Sequence, residues 1–112
     1  MNQHNAIASI FVPVLVPSFR TQFKKDYKLA LKRHLDIELL DNIIRSLSRG
    51  ETLPEKNRDH ALTGDWVGHR ECHILPDWLL VYRIEDDVLV LTLARTGTYS
   101  DLFGKQVVTN RN

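Results

Sequence analysis

Seven side chains in the second half of the chain are of types that transfer protons, bind phosphate or stack on bases: His60, His73, Asp77, Trp78, Arg95, Tyr99 and Phe103. Histidine titrates near neutral pH and serves as an acid or a base. Arginine offers phosphate a permanently charged fork, and aromatic rings stack on the bases of a single strand. Metal-free RNA cleavage needs a base for the 2′-hydroxyl, an acid for the leaving 5′-oxygen and a cation for the phosphate. These residues are therefore candidates for such a site, although core packing is an alternative for Trp78 and Phe103.

The elements that must position these residues are strands. Two short breaks, at Pro76-Asp77 and at residues 85–87, separate three apolar-rich runs: 70–75, 78–84 and 88–94. Such breaks predict a three-stranded antiparallel meander. Because neighbouring strand residues point to opposite faces, we expect Cys72 in the core and His73 on the other face.

Helical spacing of apolar residues predicts two helices before this meander, from Phe19 to Leu31 and from Asp36 to Gly50. Their short connection makes an αα-hairpin that must cover one face of the sheet and leave the other partly open. Lys24 and Lys28 lie on a basic face of the first helix, for which a solvated surface and a phosphate-binding role are equal alternatives. Residues 10–16 predict an edge strand that contains Pro13. The expected fold is α+β, in the order β-α-α-β-β-β, with a mostly antiparallel sheet.

The 112 residues are enough for one domain, which we place at residues 10–104, after a lead-in (1–9) and before a tail (105–112). A single cysteine cannot form an intrachain disulfide and suits a reducing cytoplasm. No apolar run approaches the roughly 20 residues that a membrane span requires.

A metal site is the alternative explanation of the cluster His69, Cys72 and His73. On a helix the two histidines would converge on one ion. On a strand they lie about 13 Å apart, and Cys72 faces away from them. The strand prediction therefore argues against zinc, and we expect neither metal nor cofactor.

Five stretches in order, FKKDYK at 23–28, DHALTGDW at 59–66, GHRECH at 68–73, PDWLL at 76–80 and RTGTYSDLFG at 95–104, resemble the YafQ-type toxins of the RelE/ParE superfamily. The resemblance covers residues 18–104. It implies the same fold and a ribosome-dependent endoribonuclease that cuts mRNA in the A site. It also implies a cognate antitoxin of the DinJ type, whose ribbon-helix-helix end would make the only contact with operator DNA.

The resemblance places in the active site His60, His73, Asp77, Trp78 and Phe103. The chain departs from this resemblance at Tyr99. YafQ-type toxins have a sequence similar to R-T-G-T-H at this place, with a histidine where this chain has the tyrosine. With a reference pKa near 10, a phenol is a poorer base than an imidazole at neutral pH.

The resulting hypothesis gives each candidate a role. His60 and His73 share the acid and base steps, and Tyr99 orients the 2′-hydroxyl. Asp77 fixes a histidine tautomer and Arg95 meets the phosphate. Further RNA contacts are assigned to Trp78, Phe103, Lys24 and Lys28. The alternatives are a ParE-like gyrase poison, or a catalytically weakened toxin that serves mainly as an antitoxin-binding and repression partner.

Overall fold

The structure, a computed structural model, describes residues 14–104. Five strands and two helices make up most of it: β1 (Val16–Phe19), α1 (Thr21–Lys32), α2 (Ile37–Ser48), β2 (His60–Ala61), β3 (Arg70–Leu75), β4 (Trp78–Glu85) and β5 (Val90–Gly97). Two short 3-10 helices, Glu55–Asn57 and Gly64–Trp66, flank β2, and residues 99–104 form a helical segment after β5. Within the described part, no helix is long and apolar enough to cross a membrane.

The sheet has the order β1-β5-β4-β3-β2, in which β1 is parallel to β5 and the other pairs are antiparallel. This confirms the α+β fold and the meander. The first strand lies at the edge, as expected; within the described residues it runs from Val16 to Phe19, and Val14 and Leu15 before it are not in a strand. An edge tolerates Pro17, which has no N–H to donate. The predicted lead-in and tail lie outside the described residues, as do positions 10–13.

The core lies between the helices and one face of the sheet. From α1 and α2 it contains Phe23, Ala30, Leu40, Ile44 and Leu47, and from the strands Cys72, Ile74, Trp78, Leu80, Tyr82, Leu91 and Leu93. Cys72 is fully buried, as predicted. Burial raises the pKa of its thiol to about 12, so the sulfur stays protonated and inert at neutral pH.

A buried carboxylate on α1 forms hydrogen bonds with the C-terminal end of β5. Because β1 pairs with β5 only as far as Leu93, the edge of β5 beyond it needs another partner. Asp26 supplies it: its Oδ2 accepts hydrogen bonds from Thr96 N at 3.1 Å and from Arg95 Nε at 2.7 Å. The hydroxyl of Thr96 in turn accepts from Trp78 Nε1 at 3.0 Å. This network fixes α1 against the end of the sheet.

The loop before β2 is tied to the sheet by two residues that precede His60. The amide Nδ2 of Asn57 donates to the carbonyl of His73 at 2.7 Å. The carboxylate of Asp59 accepts from Arg70 at 3.2 Å and from the Tyr82 hydroxyl at 2.6 Å. Burial and the bond to Asp59 raise the pKa of Tyr82, so this phenol remains a donor. These bonds hold β2 against the outer side of β3.

Candidate active site

The strand register brings His60 and His73 to one face of the sheet. His60 pairs with Glu71 across β2 and β3, and His73 follows Glu71 by two positions. Directly paired residues share a face, as do residues two apart on one strand. His60 and His73 are thus diagonal neighbours, for which the Cα–Cα distance is typically about 7–8 Å. One nucleotide linkage can span this distance.

His60 lies between a backbone carbonyl and a buried carboxylate. Its side chain is 50% exposed, and its Nδ1 lies 2.8 Å from the carbonyl oxygen of Arg58. A carbonyl only accepts, so the Nδ1 carries the hydrogen and the Nε2 is left for other chemistry. That Nε2 lies 3.3 Å from Oε1 of Glu71.

Glu71 is a residue that the sequence did not single out. Its side chain is 7% exposed, and its Oε2 has no hydrogen-bond partner among the described residues. The only sequence signal was that Glu71 lies two positions before His73. Many residues with a purely structural role lie two positions from a histidine on a strand. A buried carboxylate with a free oxygen beside a histidine is a feature that only the fold reveals.

His73 is held in a defined tautomer. Its Nδ1 lies 3.2 Å from the carbonyl oxygen of Pro76, so the Nδ1 bears the hydrogen and the Nε2 of the neutral ring has a free lone pair. We expected Asp77 to fix this tautomer, but the carbonyl of Pro76 does so, because the turn folds its backbone back over the ring. Asp77 itself is exposed in that turn.

The sequence predicts that this sheet face is partly open, and in the structure its centre is covered. Leu79 and Val81 are 2% and 0% exposed although neither belongs to the helix-side core. Access is therefore concentrated at the rim, where His60 is exposed and His73 is half-buried.

The two aromatic candidates have different surroundings. Trp78 is only 2% exposed and belongs to the helix-side core, so it has no free ring face and base stacking by this indole is not supported. Tyr99 is 49% exposed, and its ring lies 4.9 Å from that of Phe103 between centroids. These two rings remain available as a stacking surface on residues 99–104.

Of the cations predicted to bind RNA, Arg95 lies on the same face of the sheet as the histidines, because it pairs with Val81, which pairs with Glu71. Arg95 is held by Asp26, as described above. Lys24 and Lys28 border a groove of about 510 Å³ between α1 and α2, on the helix side of the sheet. The groove also contains Phe19, Phe23, Tyr27, Asp41, Ile44 and Arg45. The phosphate-binding role of these three cations stays a prediction.

The segment that carries Tyr99 is clamped to the end of α1. Arg33 donates to the two carboxylate oxygens of Asp101 at 2.7 Å and 3.4 Å. Asp101 and Thr98 also exchange two hydrogen bonds of 3.0 Å, each between one backbone N–H and the other side chain. Chiefly through Arg33, the pKa of Asp101 is lowered to about 2. This clamp thus fixes the position of the helical segment that carries Tyr99 and Phe103.

This clamp predicts a pH effect confined to the C-terminal segment. Because the pKa of Asp101 is lower in the folded protein than its ordinary value of 3.8, its interactions stabilise the segment above that pH. They are lost as the pH falls from 3.8 toward 2. We expect amide NMR signals of residues 98–104 to shift over that range, and Asp101→Asn to show the low-pH signals at pH 7. The exposed control Asp87→Asn is expected to leave them unchanged, and wild-type signals in Asp101→Asn at pH 7 would refute the clamp.

No group of three or more His, Cys, Asp or Glu residues within 14–104 is arranged to hold a metal ion. His69 is buried, and neither of its ring nitrogens has a hydrogen-bond partner among the described residues. Its ring packs edge-on against the ring of Trp66, with 5.1 Å between the ring centroids.

Comparison with known proteins identifies the family. The sequence profile described as "Bacterial toxin of type II toxin-antitoxin system, YafQ" matches residues 15–104. The mRNA interferase toxin YafQ of Escherichia coli K12 is 43% identical over 84 residues, which are 74% of this chain and 89% of that protein.

Solved structures agree with this match. YafQ in the E. coli DinJ-YafQ toxin-antitoxin complex has a TM-score of 0.74 at 40% identity, over 80% of this chain and 98% of that one. A metal-bound toxin from Helicobacter pylori has a TM-score of 0.75 at 38% identity, over 80% and 99%. The fold, the profile match and these identities together show that the chain belongs to the YafQ family of type II toxin-antitoxin toxins.

Proposed function

We propose that the chain is an mRNA interferase: an endoribonuclease that cuts mRNA in the ribosomal A site and so stops translation. The observation that carries the proposal is the pair His60 and His73, on one face in neighbouring positions, each with its Nδ1 held by a backbone carbonyl. Membership of the YafQ family and the E. coli relative described as an mRNA interferase support it. We expect the protein to act in the cytoplasm, where its substrate is.

The proposed reaction begins at His73. Its free Nε2 lone pair takes the proton of the 2′-hydroxyl, whose oxygen attacks the neighbouring phosphorus. His60 supplies a proton to the departing 5′-oxygen from its Nε2, which lies 3.3 Å from Oε1 of Glu71. The bond from phosphorus to the 5′-oxygen breaks, which leaves a 2′,3′-cyclic phosphate and a free 5′-hydroxyl. In this scheme Glu71 orients His60.

The other proposed roles are auxiliary. Tyr99 orients the 2′-hydroxyl, and Phe103 beside it stacks on a base. Asp77 is exposed in the turn between β3 and β4, close to His73 in the chain, and we retain it as a residue of the proposed site.

The direct test is a primer-extension assay on mRNA bound to translating ribosomes. The purified protein is expected to produce cuts at A-site codons and no cuts on the same RNA without ribosomes. If induction in cells caused DNA damage before translation stopped, the gyrase-poison alternative would replace this proposal. We assign no step of this reaction to a metal ion, because both proton transfers are assigned to side chains.

Tyr99 favours the second candidate function, a slow enzyme that acts mainly as a partner for its antitoxin. Restoring the family residue with Tyr99→His is expected to raise the cleavage rate on ribosomes by about 10-fold, because imidazole exchanges protons near neutral pH. Tyr99→Phe keeps the ring and removes the hydroxyl, and it is the matched control for stacking. A rate unchanged in both variants would show that the Tyr99 hydroxyl has no part in the reaction.

We further propose a DinJ-like antitoxin as partner, because the E. coli relative was solved in complex with DinJ. Such an antitoxin would contact operator DNA through a ribbon-helix-helix end, and the toxin would reach DNA only through it. The groove between α1 and α2 fits one of its acidic, amphipathic segments. Its floor is apolar at Phe19, Phe23 and Ile44, and Lys24 and Lys28 border it.

A further inference from the structure

A cleft beside His73 contains two cations that no role described so far uses. Its volume is about 390 Å³. One wall consists of Lys56, Asn57 and Arg58, and the other runs from His73 to Pro76. Lys56 and Arg58 are exposed, and neither forms a salt bridge with another described residue.

The reaction proposed above needs a positive charge at the phosphate, since negative charge accumulates on its oxygens during attack. The candidates from the sequence are either paired with a carboxylate or on the other side of the sheet. The Arg95 guanidinium is 2.7 Å from Asp26, and Lys24 and Lys28 lie on the helix side of the sheet. Lys56 and Arg58 are the cations that border a cleft containing His73.

The backbone places Arg58 between the two histidines. On one side, Asn57, only 6% exposed, donates its amide to the His73 carbonyl at 2.7 Å. On the other, the Arg58 carbonyl accepts from Nδ1 of His60 at 2.8 Å. Arg58 itself has a φ of 48°, in the left-handed region that non-glycine residues rarely adopt. Such a conformation persists only where surrounding bonds impose it.

From this arrangement we propose that Lys56 and Arg58 form the phosphate-binding site of the nuclease and take the phosphodiester backbone of single-stranded RNA. The inference rests on the proposed function. The planar fork of Arg58 suits two oxygens of the phosphate between His60 and His73. Lys56, two residues earlier in the same wall, provides a point charge for the adjacent phosphate.

Two measurements test this site, both on the full chain. The first is binding of a short oligoribonucleotide, made uncleavable by 2′-deoxy substitution, as a function of salt concentration. The double variant Lys56→Gln with Arg58→Asn removes both charges, and asparagine tolerates the backbone conformation at position 58. We expect the slope of log affinity against log salt to become shallower by about 0.7 for each lost contact.

The second measurement is cleavage on translating ribosomes. The double variant is expected to lose roughly 10- to 100-fold in rate, with Arg58→Lys between it and wild type, because lysine keeps the charge and loses the fork. The matched control is Lys25→Gln with Lys32→Gln, which removes two charges from exposed positions of α1 and is expected to change neither quantity. Equal melting temperatures would show that the variants are folded.

The outcomes separate this inference from the function on which it rests. If wild type cleaves and the double variant matches it in rate and salt slope, the phosphate site is refuted and the nuclease stands. If wild type binds no oligonucleotide, the phosphate site is refuted as well. If wild type binds with the expected slope change but cuts nothing on ribosomes, the proposed function fails while the cleft remains an RNA-binding site.

Discussion

Replacing both His60 and His73 with alanine is expected to lower RNA cleavage on ribosomes by at least about 10³-fold, because one positioned acid or base typically contributes 10²–10⁴-fold. Either single replacement is expected to account for most of this loss, since the two rings act on one bond and their effects are not additive. The measurement is the single-turnover cleavage rate at saturating enzyme, which separates chemistry from binding.

A histidine outside the site provides the control. His34 lies in the turn between α1 and α2, with a φ of 61°. His34→Asn removes an imidazole and keeps a residue that tolerates this conformation, so its rate is expected to equal that of wild type. Parental cleavage by the double alanine variant would refute the acid and base assignment.

Asp26→Ala is expected to cause the largest loss of stability, about 3–5 kcal/mol, because it leaves a largely buried Arg95 without its counter-charge. The carboxylate is 7% exposed and also receives the otherwise unpaired N–H of Thr96. Natural domains have only about 5–15 kcal/mol of stability, so a large part of the variant is expected to unfold near 37 °C. Chemical denaturation measures the change in unfolding free energy.

Two further variants test whether the unpaired charge of Arg95 causes this loss of stability. Asp26→Leu combined with Arg95→Met removes both charges and is expected to recover part of the loss, because no unpaired ion remains in the interior. Asp87→Ala deletes an exposed carboxylate in the turn before β5 and is expected to change stability by less than about 0.5 kcal/mol. A loss below 1 kcal/mol for Asp26→Ala would show that the network does not anchor α1.

Local patterns predicted most of the fold. The turns at Pro76-Asp77 and after Glu85 lie where the chain reverses, and β3 has the bounds that its sequence predicts. The prediction of a strand at 10–16 followed the β propensity of that segment, whereas the described part of it joins a strand only at Val16. What selects Val16–Phe19 is parallel pairing with β5, a long-range contact without a local signal.

The site was less predictable for the same reason. Alternation along β3 predicted opposite faces for Cys72 and His73, and the structure agrees. No spacing rule revealed that Asp26 would form a salt bridge with Arg95, which is 69 residues later in the chain. Nor did the sequence show that Trp78 would donate a hydrogen bond to Thr96 inside the core. The positions of Glu71, Lys56 and Arg58 likewise depend on how the 3-10 helix and β2 dock against β3.

The parallel pairing of β1 with β5 has a consequence for how the toxin is made. Val16 pairs with Val90, so the sheet closes only after both segments have been synthesised. Contacts of such sequence separation form late and slowly. A chain that has not yet reached β5 therefore lacks the finished sheet on which the candidate site lies.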